Sequence, residues 1–122
     1  MSSDSVQLCL SRKTGEMLHR LRANRPLVHC ITNGVVQELT ANGLLAAGAS
    51  PAMVVGEGEA EYFAGIASAL SVNVGTPYEA RIETMKKAIR GALAAGKLWV
   101  LDPVAAGGIP WRDKVIFELL EM

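Results

Sequence analysis

Leu27-Val28-His29-Cys30-Ile31-Thr32-Asn33-Gly34-Val35-Val36-Gln37-Glu38-Leu39 is the stretch on which the fold turns. Its first six residues are largely apolar and of strand length. The residues after Asn33-Gly34 decide the topology. Asn-Gly is a strong signal for a two-residue hairpin, which would return an antiparallel strand. No alternating pattern comes after it. Val35, Val36, Leu39, Leu44 and Leu45 instead recur at helical spacing, and Gly48 stands where a helix places its left-handed closing residue. Asn33 is therefore read as the N-cap of a helix. A strand that feeds a helix and then another strand is the unit of a parallel sheet.

The same alternation extends in both directions. Upstream, Val6, Leu10, Met17, Leu18 and Leu21 make a loose amphipathic helix over 4–23, ended by Arg25-Pro26. Downstream, Ala52-Met53-Val54-Val55 is a second strand closed by Gly56, and a weakly patterned helix covers 57–66. Ala69-Leu70-Ser71-Val72-Asn73-Val74 is a third strand. Thr76 with Glu79 three residues later reads as a capping box, with Pro77 at the first helical position. Ile82, Met85, Ile89 and Leu93 carry that helix to Gly96. Leu98-Trp99-Val100-Leu101 is a fourth strand, and a last helix starts near Trp111. One helix followed by four strand–helix units predicts an α/β domain with a mostly parallel sheet, right-handed crossovers and helices on both faces.

Composition narrows the function. The chain has 122 residues, one domain's length, with 12 Lys+Arg against 12 Asp+Glu. Zero net charge and no basic stripe argue against a nucleic-acid partner. Half of the residues are hydrophobic, which is enough for a core and too many for a disordered chain. Cys9 and Cys30 make neither a disulfide framework nor a zinc pattern. The start lacks the basic and apolar regions of a signal peptide, and no run approaches the roughly 18 apolar residues of a membrane span. A cytoplasmic location with free thiols is the expectation. There is no GxxxxGK[ST] loop and no GxGxxG.

Ligands of open parallel sheets bind beyond the carboxyl ends of the strands. Here those ends are Thr32-Asn33, Gly56, Asn73-Gly75-Thr76 and Asp102-Pro103. A carboxylate at the end of a buried strand suits a hydrated Mg²⁺ beside a polyphosphate, which makes Asp102 the most pointed candidate. An Asp-Pro turn accounts for it equally well. Asn33 can bond a polar ligand, cap its helix, or do both. Gly107-Gly108 could let backbone N–H groups reach an anion or simply make a flexible turn, and the turn is the better reading. His29 and Cys30 point to opposite faces of their strand and read as core residues. Arg81, Lys86, Lys87 and Arg90 read as a solvated helix face.

Several blocks occur together in order: Pro26-Leu27-Val28-His29-Cys30-Ile31-Thr32-Asn33, Val35-Val36-Gln37, Thr40-Ala41-Asn42-Gly43-Leu44-Leu45-Ala46, Gly48-Ala49-Ser50-Pro51-Ala52-Met53, Asn73-Val74-Gly75-Thr76 and Leu101-Asp102-Pro103-Val104. This set resembles the hydroxyethylthiazole kinases of thiamine salvage, within the ribokinase-like superfamily. The resemblance implies a ribokinase-like, three-layer fold. It implies phosphorylation of the primary hydroxyl of 4-methyl-5-(2-hydroxyethyl)thiazole with ATP as co-substrate and Mg²⁺ as cofactor, and a homotrimer in the full-length family. It matches Met53 and Asn33 to the thiazole site and Asp102 to the metal and phosphates.

The family pattern continues with an Arg-Gly-Asn-x-x-Glu segment and a glycine-rich anion hole of the type GxGDxxxA, neither of which occurs here. Residues 1–122 thus resemble the N-terminal part of a single kinase domain, with the catalytic residues expected outside it. The alternative is a catalytically inactive thiazole-binding or oligomerisation half-domain.

Overall fold

The computed structural model describes residues 3–122; residues 1–2, part of the stretch read for a leader, lie outside it. Five helices and four strands alternate among the described residues: α1 (Ser3–Asn24), β1 (Leu27–Ile31), α2 (Gln37–Ala47), β2 (Ser50–Ala52), α3 (Ala60–Ile66), β3 (Ala69–Asn73), α4 (Glu79–Ala94), β4 (Leu98–Asp102) and α5 (Pro110–Leu120). The strands form one parallel sheet in the order β2-β1-β3-β4. The expected helix followed by four strand–helix units is the observed order.

The crossovers assign the layers. β1 to β2 steps one way across the sheet, whereas β2 to β3 and β3 to β4 step the other way. Right-handed connections therefore put α2 on one face and α3 and α4 on the opposite one. The core lies on the α3–α4 side. Ile31, Leu70 and Val72 from the strands meet Ala60 and Ala64 of α3, Ile82, Met85, Ala88, Ile89 and Ala92 of α4, and Val115, Ile116 and Leu119 of α5. Small residues bring the helices close: Gly91 of α4 sits so tightly against the Glu61 carbonyl of α3 that a Cβ there has no room.

The second face is covered unevenly. Cys30 is buried on it, as is Thr32 just beyond the strand. Toward β4 it is bare, with Leu98 83% and Val100 61% exposed. A parallel sheet normally has both faces covered. Helix α2 buries no residue at all, and Leu39 and Leu45 on it stand exposed. No described helix is long and apolar enough to cross a membrane.

Three local expectations shift. Strand β2 ends at Ala52, so Met53 to Val55 run beyond it as irregular chain. Helix α2 starts at Gln37 with Val36 in the cap position, and Asn33 instead closes a turn by accepting the N–H groups of Val35 (3.0 Å) and Val36 (3.1 Å). The Thr76–Glu79 capping box does not form. Thr76 has φ +43°, whereas an N-cap needs extended backbone, and α4 begins only at Glu79. Gly48 (φ +110°) and Gly96 (φ +65°) do take left-handed conformations just past α2 and α4.

Candidate functional site

Because the strands are parallel, their carboxyl ends lie along one edge. In spatial order this edge carries Met53 just after β2, Asn33 two residues past β1, and Asn73 and Asp102 as the last residues of β3 and β4. Asn73 and Asp102 are direct register partners. Their side chains join: Asn73 Nδ2 donates to Asp102 Oδ2 at 2.7 Å. Asn73 Oδ1 in turn accepts from Asn33 Nδ2 at 3.0 Å and from the Gly75 N–H at 2.9 Å.

The polarity of this line is set by Asp102 at one end and by the Gly75, Val35 and Val36 N–H groups along it. A carboxylate only accepts, so Asn73 must turn its NH₂ toward it and its oxygen toward Asn33. Asn33 must then present its NH₂ to Asn73 and its oxygen to the Val35 and Val36 amides. One N–H of Asn33 is left to donate elsewhere. Gly75 makes the convergence possible, since a Cβ there would lie 2.8 Å from Asn33 Cβ and 2.9 Å from both Asn33 Nδ2 and Asn73 Oδ1. The Gly34 N–H donates to Thr76 Oγ1 at 3.3 Å, tying the loop after β1 to the loop after β3.

Of the residues singled out from sequence, Asn33 and Asp102 are brought together through Asn73. Met53 is half-buried at the other end of the same edge and outside the hydrogen-bonded line. Asn73 reads from sequence only as a strand end; its bridging role depends on register, which local spacing does not show. Arg81, read from sequence as part of a solvated helix face, also differs from that expectation. It is drawn inward, donating to the Thr32 carbonyl at 3.0 Å and lying over the Tyr78 ring at 5.0 Å. It lines a cleft of about 170 Å³ with Val55, Glu57, Tyr78, Ala80 and Thr84. Lys86 and Lys87 are half-buried and paired with carboxylates (Lys86 with Glu83 and Glu118, Lys87 with Glu57), whereas Arg90 is exposed as expected. A larger hollow, lined among the described residues by Val6, Gln7, Leu10, Ser11 and Thr14 of α1, is an open groove on one helix and carries none of these groups.

Asp102 suits a divalent cation in a limited way. It is exposed, its Oδ2 is held by Asn73, and Oδ1 accepts no hydrogen bond from the described residues. No cluster of three His, Cys, Asp or Glu stands ready as a cage among those residues. A single carboxylate oxygen fits Mg²⁺, which keeps most of its waters and takes few protein ligands. It does not fit a cation that needs a full protein shell.

Comparison with known proteins decides the relationship. The hydroxyethylthiazole kinase family matches residues 18–122. The chain belongs to the hydroxyethylthiazole kinase family. It is 56% identical over 104 residues to a hydroxyethylthiazole kinase of Klebsiella pneumoniae, covering 85% of this chain and 40% of that protein. It is 52% identical over 120 residues to that of Cronobacter sakazakii, covering 98% and 44% respectively. A solved structure, a hydroxyethylthiazole kinase protein from Pyrococcus horikoshii, superposes with a TM-score of 0.84 at 47% identity, over 87% of this chain and 42% of that one. The α/β, ribokinase-like architecture expected from the resemblance agrees with that neighbour. The chain spans about two fifths of the length of the hydroxyethylthiazole kinases it matches.

Proposed function

We propose that residues 1–122 form the N-terminal part of a hydroxyethylthiazole kinase domain, holding the thiazole alcohol and one metal-site carboxylate. In the whole domain the thiazole's primary hydroxyl is phosphorylated by ATP. The observation that carries this reading is the Asn33–Asn73–Asp102 line on the strand-end edge of a chain 56% identical to such a kinase. Strands lie about 4.8 Å apart, so Met53 at β2 and Asp102 at β4 are separated by three spacings, roughly 14 Å. That span suits an acceptor at one end and a phosphoryl donor with its cation at the other.

Within this reading Met53 supplies apolar wall to the heterocycle, and the remaining N–H of Asn33 anchors one polar atom of it. Asp102 holds Mg²⁺ through its unengaged oxygen, while Asn73 keeps that carboxylate oriented. Bound Mg²⁺ would neutralise the charge of the transferring phosphoryl group. Polypeptide beyond this chain supplies the nucleotide segment and the anion hole and packs on the bare face of β4, where Leu98 and Val100 await a cover. A homotrimer and a cytoplasmic role in thiamine salvage complete the proposal.

Two measurements test it. Calorimetry of the chain with the thiazole alcohol is expected to give binding heat, and ADP release in the presence of ATP, Mg²⁺ and the alcohol is expected to be absent. No heat at millimolar ligand would reject the thiazole site. Turnover by the chain alone would reject the placing of the catalytic groups outside it. The alternative is a catalytically inactive thiazole-binding or oligomerisation half-domain. It requires that the chain stay inactive when the remaining part of the Klebsiella relative is added.

A further inference from the structure

We propose that His29 is a positioning residue for Met53; this rests on the reading of Met53 as a thiazole contact. The pairing of β1 with β2 ends at His29↔Ala52. Met53 and Val54 leave the sheet there, and no strand ladder directs them further. The Val54 carbonyl is nevertheless held: it accepts a hydrogen bond from His29 Nε2 at 2.7 Å. Met53 thus lies between two fixed points, the ladder at Ala52 and the imidazole at Val54.

The ring that provides the second point is itself immobilised. His29 is fully buried, and its imidazole stands edge-on to Phe63 of α3 with centroids 5.1 Å apart and planes at 79°. A carbonyl only accepts, so the neutral ring carries its proton on Nε2. Nδ1 has no partner among the described residues. A histidine that only filled space would leave both nitrogens as liabilities in this apolar setting, where a phenylalanine fits the same aromatic contact without them. The Nε2 bond to Val54 is the one thing the imidazole does here that an apolar ring cannot.

Methyl-labelled methionine NMR on the 122-residue chain separates positioning from core filling, because Met85 is buried in the main core and reports on it. In His29→Phe the Met53 methyl resonance is expected to shift or broaden while Met85 stays. His29→Gln, whose side-chain amide can reach the same carbonyl, is expected to return Met53 toward its original position. Affinity for the thiazole alcohol should fall roughly five- to tenfold in His29→Phe, the effect of one lost hydrogen bond, and recover in His29→Gln. An unmoved Met53 in His29→Phe overturns the proposal. So does joint movement of Met53 and Met85, which would make His29 a core residue only. A shifted Met53 with unchanged thiazole affinity upholds the positioning role and instead overturns Met53 as a thiazole contact.

Discussion

Replacing Gly75 by alanine puts a methyl group into the junction of the strand-end line. The new carbon would lie 2.8 Å from Asn33 Cβ, 2.9 Å from Asn33 Nδ2 and 2.9 Å from Asn73 Oδ1. Carbon atoms pack at about 3.5–4.0 Å, so the overlap with Asn33 approaches 1 Å. Neither neighbour can step aside freely. Asn33 Oδ1 is held by two backbone amides and Asn73 by Asp102. Overpacking of this kind costs about 1–3 kcal/mol. Taking about 2 kcal/mol, and about 3–6 °C per kcal/mol for a domain of this size, the melting temperature should fall by roughly 6–12 °C. The Asn33 side-chain amide resonances should move, and thiazole binding should weaken with them. Gly58→Ala is the control, since a Cβ there meets nothing within 4 Å, and its effect should stay within about 0.5 kcal/mol. Thermal unfolding of the two variants, with proton–nitrogen spectra of the side-chain amides, measures both effects. A Gly75→Ala chain as stable as Gly58→Ala, with Asn33 unmoved, would refute the packing argument.

Val100→Lys should leave the stability of the 122-residue chain within about 0.5 kcal/mol, because the side chain is already 61% exposed, yet should abolish association with the remaining part of a hydroxyethylthiazole kinase; urea unfolding and sedimentation check the two halves of that statement. Thiol labelling at neutral pH should modify one cysteine quickly, the exposed Cys9, while Cys30 reacts only on unfolding, since it is buried and burial pushes its pKa up; mass spectrometry of time points counts the adducts. Burial lowers the His29 pKa below 6.5, despite the Val54 carbonyl and Glu59 acting the other way, so the unfolded chain binds more protons between that lowered value and 6.5. His29 therefore contributes stability that is fully present above pH 6.5 and lost as pH falls below it; urea midpoints at pH 7.5 and 5.5 should differ less in His29→Phe than in the parent, and equal differences would refute this.

The element order was legible because it rests on periodicity. Apolar strand residues such as Leu70 and Val72 and helical spacings such as Ile82, Met85 and Ile89 are local facts, and they end in the core as expected. What failed were readings in which a short motif had two physical outlets. Asn33 carries the oxygen an N-cap needs, but it spends that oxygen on a turn, and the helix starts only at Gln37. Thr76 has the sequence of a capping box, but its hydroxyl accepts from Gly34 across the site and its backbone is left-handed. Arg81 looks like a surface charge until the Thr32 carbonyl, 49 residues away, turns it inward. In each case the deciding partner is distant in sequence or the competing local bond is equally good, so spacing alone had nothing to choose with. Of the candidate site, Asn33, Asn73 and Asp102 were legible as strand ends, and the roles given to Met53, Asn33 and Asp102 rest on the resemblance; that Asn73 joins Asn33 to Asp102 needed the β3–β4 register.

That register also links the bare face of β4 to Asp102. Side chains alternate across a strand, so Leu98, Val100 and Asp102 share one face of β4. The apolar pair is the bare part of the sheet, and the carboxylate ends the same row. Whatever covers Leu98 and Val100 must therefore pass beside Asp102. Covering them would add roughly 1–2 kcal/mol each, given how exposed they are. On the proposed reading it would also bring further groups to Asp102 Oδ1, which accepts no hydrogen bond from the described residues. On the proposed reading, completing the sheet and completing the metal site are thus one packing event. Asn73 joins that end of the line to Asn33, its amide held by the Asp102 carboxylate on one side and by the Gly75 N–H on the other.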